Sequence, residues 1–216
     1  MTENTRLGAL IEYAKQAASA DHSGHGFDHI QRVAATTRKL LAETPEADPS
    51  IALAAAILHD TYDDKLVADP AVARAKTQAE LAAVGDTPDT QELILAIIDH
   101  MSFKSNLDAA QPLPLEGQLV QDADRLDALG AIGIARAFMF GGAHGSVMYD
   151  PDIAPRETIT PANYREAVPV INHFYEKLLR LPATMNTEAG KRLAMQRAKV
   201  MQDFLAEFKA EWHGEA

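Results

Sequence analysis

Cysteine is absent from this chain of 216 residues, which excludes disulfides, zinc ribbons and thiol nucleophiles together. His, Asp and Glu are left as the only strong metal ligands. Aromatic residues are scarce, at 6% of the chain, while alanine-rich runs such as Ala52 to Ala56 favour helices over strands. No apolar run approaches the roughly 20 residues that span a bilayer, and Met1 to Arg6 is polar. Neither a signal peptide nor a membrane helix is expected, and a cytoplasmic protein follows by default. Positive charge is also short, with 20 Lys and Arg against 31 Asp and Glu and a formal net charge of −11. That balance argues against broad nucleic-acid binding, although a small anionic ligand remains compatible with positive charge gathered at one site.

What is present reads as one all-α domain over residues 1–216, a helical bundle of a length that suits a single core. Four helix starts are marked by a capping residue followed by proline: Asp48-Pro49, Asp69-Pro70, Thr87-Pro88 and Thr160-Pro161. Apolar residues recur at three and four, as in Leu7, Leu10 and Ile11, then Ile30, Val33, Thr37, Leu40 and Leu41. A last helix starting near Thr187 carries Leu193, Met201, Phe204, Leu205, Phe208 and Trp212 as a core-packing stripe. That amphipathic helix packs within its own chain or across a homodimer. Residues 102–114, with two prolines, and 141–155, with three glycines and two prolines, are expected to be non-helical loops over a site.

The eight histidines are unevenly placed, with His22, His25 and His29 clustered. A glycine-containing loop delivers His25 and Asp28-His29 to the start of a helix, so several ligating groups meet at one end of it. Ile51 to Leu58 is an almost wholly apolar, hence buried, helix that ends abruptly in His59-Asp60. A carboxylate there must be solvated, paired or bound to metal, since a bare buried charge costs several kcal/mol or more. In QDADRLDALGAIGIARAF, starting at Gln121, the acids Asp122, Asp124 and Asp127 interrupt an apolar stretch. Asp124 and Asp127 share a face; they form either a surface ion-pair set with Arg125 or a site in which at least one acid is buried.

His29, then His59-Asp60, then the distant Asp124 resemble the H…HD…D signature of the HD-domain phosphohydrolase superfamily. The segments GHGFDHIQRV, ILHDTYDDK, DADRLDALGAIGIAR and HFYEKLLRLPATMNT are similar to those of its bacterial nucleotide pyrophosphohydrolase branch, over roughly His22 to Trp212. The resemblance implies an HD-type metal-binding core over about residues 20–140, completed by C-terminal helices over about 160–212. It implies that His29, His59, Asp60 and Asp124 ligate one divalent cation, Mn²⁺ by family resemblance, with Fe²⁺, Co²⁺, Ni²⁺, Zn²⁺ or Mg²⁺ as alternatives.

The reaction so implied is hydrolysis of a nucleoside triphosphate to monophosphate and pyrophosphate. The alternatives are a nucleotide phosphomonoesterase or phosphodiesterase, a non-catalytic nucleotide-binding module, or a two-iron oxygenase using His25 and His100. Asp63 is the candidate general base and Lys65 the candidate phosphate contact, each weighed against an ordinary solvated side chain. His100, which closes an apolar helix, is a candidate for substrate or a second metal. Arg136 and Lys177 are further candidates for an anionic substrate. His173 and Lys177 are four apart on one helical face, as are Glu176 and Arg180, so a plain charged face is the competing reading. His144 is a candidate base contact, and His22 and His213 are left outside the site.

Overall fold

A computed structural model describes residues 2–20, 26–64, 66–102, 112–158, 166 and 168–215. Among them all regular structure is helical, in nine α-helices and two 3₁₀ segments with no strand, so the chain is all-α as expected. No single helix among the described residues is long and apolar enough to cross a membrane. Two compact units, Met1–Asp124 and Arg125–Ala216, divide the chain.

The first unit is built on α1 (Glu3–Ala17), α2 (Phe27–Leu41), α3 (Pro49–Leu58), α4 (Pro70–Ala83), α5 (Pro88–Met101) and the start of α6 (Leu115–Asp127). Helix α3 is its axis: every residue from Ala52 to Leu58 is buried, and α1, α2 and α5 pack against it. A helix that is apolar all round has no face to give to water, so its enclosure follows from its sequence. Asp48, Asp69 and Thr87 each accept a backbone N–H from the first turn they precede, with proline at the helix start, as their sequences predict. The fourth predicted start, Thr160-Pro161, lies outside the described residues.

Side chains lock these helices in register. Buried Arg6 on α1 donates to the two carboxylate oxygens of Asp86 at 2.8 and 2.9 Å and to Ser50 Oγ at 2.8 Å, fixing the start of α3. Helix α6 is held at both ends of its first-unit portion. Glu116 Oε1 accepts the Asp48 N–H at 2.8 Å, and Gln121 Nε2 donates to the Met101 carbonyl at the end of α5 at 2.9 Å.

The second unit contains α7 (Gly130–Ala143), α8 (Val170–Glu176), a 3₁₀ segment (Leu178–Thr184) and α9 (Glu188–His213). Phe138, Phe174, Phe204 and Phe208 form its aromatic centre, with ring centroids 5.8–6.2 Å apart. Helix α9 starts after the Thr187 cap, as predicted, but its buried edge runs through Ala194, Ala198, Met201 and Leu205, and Trp212 is exposed. The expected loop over 141–155 is shorter than its composition suggests, because α7 continues to Ala143. The reason is packing: a Cβ at Gly141 would lie 2.3 Å from Val170 Cγ2, so glycine here allows α7 to approach α8 rather than ending the helix. Residues 103–111, most of the other expected loop, lie outside the described residues.

Candidate metal centre

Two helix ends and one helix face of the first unit deliver the clustered side chains. His29 sits in the first turn of α2, which opens after Gly26. His59 caps the C-terminus of α3, and Asp60 follows it where the chain leaves the helix. Asp124 comes from α6. Because α2 packs on α3, the N-terminus of one and the C-terminus of the other carry the two imidazoles to the same place.

The donor atoms lie within one coordination sphere of each other. His29 Nε2 is 3.1 Å from His59 Nε2, 3.4 Å from Asp124 Oδ1 and 3.5 Å from Asp60 Oδ2. His59 Nε2 is 3.4 Å from Asp60 Oδ1 and 3.9 Å from Asp124 Oδ1. Metal–ligand bonds of ~2.0–2.1 Å put neighbouring donors about 3.0 Å apart at right angles and about 3.4 Å apart at tetrahedral angles, so His29, His59 and Asp124 are spaced to share a single cation, with Asp60 beside them.

The orientation of His59 suits the same purpose. Its Nδ1 is 2.9 Å from the Ala56 carbonyl oxygen. A carbonyl only accepts, so Nδ1 carries the proton, and in the neutral ring Nε2 presents its lone pair to the cluster. Asp60 supplies an independent test. Its side chain is 10% exposed, and its Oδ2 is buried without a hydrogen-bond partner among the described residues. A buried carboxylate oxygen lacking a donor is costly unless a cation meets it. The donor set, two imidazoles and two carboxylates, therefore fits a divalent transition-type cation. The side chains of His29 and His59 are almost wholly enclosed, whereas that of Asp124 is 33% exposed, so the cluster opens on the Asp124 side.

The three acids of α6 divide differently from what the helix pattern alone conveys. Asp122 is fully buried, and so nearly is Asp127, while the cluster-facing Asp124 is the accessible one. Asp127 belongs to the second unit, where Arg136 Nη1 donates to its Oδ2 at 2.7 Å. Arg136, a predicted substrate contact, thus neutralises a buried acid.

The other predicted residues are distributed as follows. Asp63 is half-buried just past Asp60; its N–H donates to the Asp60 carbonyl at 3.3 Å, and its own carbonyl accepts from Leu66 at 2.9 Å. His100 lies exposed in the last turn of α5. Lys177 belongs to the second unit, at the C-cap of α8; the helix ends at Glu176, so His173 and Lys177 do not share a continuous helical face. His144 stacks on Phe140 with centroids 3.9 Å apart, and its Nδ1 lies 2.8 Å from that residue's carbonyl oxygen. His22, His25 and Lys65 lie outside the described residues.

Sequence reading passed over the residues immediately behind the His-Asp pair. Tyr62 is buried, and its phenol donates to Asp99 Oδ1 at 3.0 Å; burial first, then the Asp99 carboxylate, push the phenol far above its usual range. The one available signal was a hydroxyl pair, Thr61-Tyr62, in direct continuation of a buried helix.

Comparison with known proteins supports the same reading of the fold. Residues 26–129 match the HD domain family. The chain is 35% identical over 215 residues to the uncharacterised protein YpgQ of Bacillus subtilis, covering 99% of this chain and 97% of YpgQ. The crystal structure of YpgQ in complex with ADP aligns at TM-score 0.79 and 32% identity, over 98% of this chain and 97% of that one. A Lactobacillus plantarum protein of known structure is 51% identical at TM-score 0.87, over 97% of this chain and 98% of that one. An HD-superfamily hydrolase from Bacillus thuringiensis is 38% identical at TM-score 0.76, over 98% of this chain and 99% of that one. HD domains bind a divalent metal, and His29, His59 and Asp124 bring their donor atoms close enough together to hold one. The chain belongs to the HD-domain phosphohydrolase superfamily.

Proposed function

We propose that His29, His59, Asp60 and Asp124 hold one divalent cation, Mn²⁺ first among the candidates, and that the protein hydrolyses nucleoside triphosphates to monophosphate and pyrophosphate. The observation that carries the metal assignment is the buried Asp60 Oδ2, which lacks a hydrogen-bond partner among the described residues and lies 3.5 Å from His29 Nε2. The ADP bound to YpgQ, a 32%-identical protein matched along nearly its whole length, supports a nucleotide as ligand.

A divalent cation bound here supplies a Lewis acid for a phosphoryl oxygen and a lower pKa for water. The chain's own tasks are then to aim the donors, to accept a proton and to balance phosphate charge. His59, oriented by the Ala56 carbonyl, and His29, enclosed in the first turn of α2, provide fixed neutral donors. Asp63 accepts the proton of the attacking water, whose oxygen bonds to the α-phosphorus as the bond to the pyrophosphate oxygen breaks. Lys65 and His100 supply positive or hydrogen-bonding contacts to the phosphates.

The reading is tested by metal-stripped protein incubated with nucleoside di- and triphosphates, with and without Mn²⁺, with pyrophosphate and phosphate assayed separately. Pyrophosphate release that needs the cation and disappears in Asp60→Ala is expected. Phosphate alone would make the enzyme a phosphomonoesterase, and nucleotide binding without turnover under any metal would make it a binding module. Asp63→Asn should lower kcat by about 10²-fold with cation affinity retained, a typical loss for general-base catalysis. Near-normal turnover would remove Asp63 from that role.

A further inference from the structure

The stretch carrying Asp60 and Asp63 leaves a helix and is not itself helical, yet it must hold a carboxylate in place among two imidazoles. Its backbone bonds run from Thr61 N–H to the Leu58 carbonyl at 3.0 Å, from Asp63 N–H to the Asp60 carbonyl at 3.3 Å, and from the Leu66 and Val67 N–H groups to the Asp63 carbonyl at 2.9 and 3.2 Å. Side chains do the remaining fixing, on two sides. On one, Thr61 Oγ1 lies 2.7 Å from the Leu58 carbonyl oxygen and 3.0 Å from Thr77 Oγ1 of α4, which is 3.1 Å from Tyr13 Oη of α1. On the other, the buried ring of Tyr62 reaches α5, where its hydroxyl lies 3.0 Å from Asp99 Oδ1 and 3.4 Å from the Leu95 carbonyl oxygen. Asp99 is clamped in turn by Arg74 of α4, whose Nε and Nη2 donate to Oδ2 at 3.1 and 2.7 Å.

The two sides differ in what they do. The Thr61 chain joins small hydroxyls close to the backbone and is largely packing. The Tyr62–Asp99–Arg74 chain is directional: a bidentate guanidinium fixes the carboxylate, the carboxylate fixes the phenol, and the phenol belongs to the residue between Thr61 and Asp63. Arg74 and Asp99 are partly exposed, at 40% and 32% of their side chains, so their pairing adds little to stability by itself. A weak surface pair that ends on a buried tyrosine two residues from Asp60 gains more from orientation than from energy.

We propose that Tyr62, held by Asp99 and Arg74, is a positioning residue that sets the Asp60 carboxylate, and with it the affinity of the cluster for its cation; this rests on the metal assignment made above. Tyr62→Phe keeps the ring and removes the hydroxyl. Metal-stripped variant and wild-type protein are titrated with Mn²⁺ by calorimetry, alongside thermal melts and circular dichroism of the metal-free forms. The expected result is Mn²⁺ affinity about tenfold weaker in Tyr62→Phe, the lower end of losses seen for groups supporting metal ligands, with the metal-free melting midpoint little changed. Asp99→Asn, which retains a hydrogen-bonding oxygen for the phenol, should bind Mn²⁺ within about twofold of wild type, whereas Asp99→Ala should weaken binding as Tyr62→Phe does. Equal affinity in wild type and Tyr62→Phe overturns the positioning role while leaving the metal site standing. Loss of affinity only in proportion to a lost melting midpoint overturns it too, as the mark of packing alone. A wild-type chain that takes up no Mn²⁺ overturns both.

Discussion

Buried acids are handled in two ways in this molecule. In the second unit, Glu176 has a fully buried side chain and meets Arg156 three times: the backbone N–H donates to Oε1 at 2.8 Å, and Nε and Nη2 donate to Oε2 at 3.0 and 2.6 Å. Asp127 meets Arg136 at 2.7 Å in the same manner. In the first unit, Asp60 has two imidazoles for neighbours and an oxygen with no donor among the described residues. A guanidinium satisfies a carboxylate permanently, with fixed geometry and charge. An imidazole instead offers a nitrogen lone pair that can bind a cation alongside the carboxylate. The contrast separates an acid that an arginine holds from one that, under the proposed function, is kept available for a cation.

The largest break in that contrast is expected from removing the available acid. His59→Ala or Asp60→Ala should lower Mn²⁺-dependent turnover by more than about 10³-fold, since metal catalysis supplies several kcal/mol of transition-state stabilisation. Initial rates at saturating Mn²⁺ measure it, and retention of a tenth of the wild-type rate would refute the ligand set. Next comes the structural acid. Arg156→Ala removes the guanidinium and leaves buried Glu176 only the backbone N–H at Oε1, and urea unfolding should show a loss of about 3–5 kcal/mol. The double change Arg156→Met with Glu176→Leu should recover much of it, because the cost lies in the stranded charge.

Of the two acids, Asp60 is the one expected to respond to the cation. Mn²⁺ at a hundred times its dissociation constant should stabilise wild type by about 2.7 kcal/mol in urea and leave Asp60→Asn unmoved. Without metal, Asp60→Asn should be as stable as wild type or more so, because it removes a buried carboxylate that no arginine or lysine among the described residues pairs. A metal-free Asp60→Asn protein that is markedly less stable would mean the carboxylate holds the fold, as Glu176 does.

Much of the His-Asp cluster was legible in sequence, for reasons that are local. An apolar helix that stops at His59-Asp60 announces a buried polar end, and caps at Asp48, Asp69 and Thr87 announce helix starts whatever the tertiary context. What escaped depends on contacts between distant elements. Helix α6 is flanked by apolar residues nearly all round, so periodicity does not say that Asp122 is buried while Asp124 is accessible. Arg136 resembled a phosphate contact because its partner Asp127 lies in the preceding helix, beyond any helical repeat. Tyr62 and Asp99 are 37 positions apart and meet only because the chain after α3 packs on α5. Gly141 read as a loop residue because a close helix approach and a turn both call for glycine, and only the neighbouring Val170 distinguishes them.

The smallest effect sharpens the comparison through pH. His173 packs in the same helix as Glu176, and burial, followed by the charges of Lys177 and Arg156, holds its pKa at about 3 against an ordinary 6.5. An imidazole that stays neutral in the folded chain while the unfolded chain protonates it takes up a proton on unfolding. Its contribution is therefore intact above pH 6.5 and is lost as pH falls from 6.5 toward about 3. One group can tilt stability by no more than ~1.4 kcal/mol per pH unit. Urea unfolding of wild type and His173→Gln at pH 7, 5.5 and 4.5, in the absence of metal, should show the wild-type value falling faster by up to that slope, with the two chains parallel above pH 7. Carboxylates that titrate in the same window do so in both proteins and cancel in the difference. Parallel curves throughout would mean that His173 is solvated enough to protonate in place, and that the cations around Glu176 are spent on that acid alone.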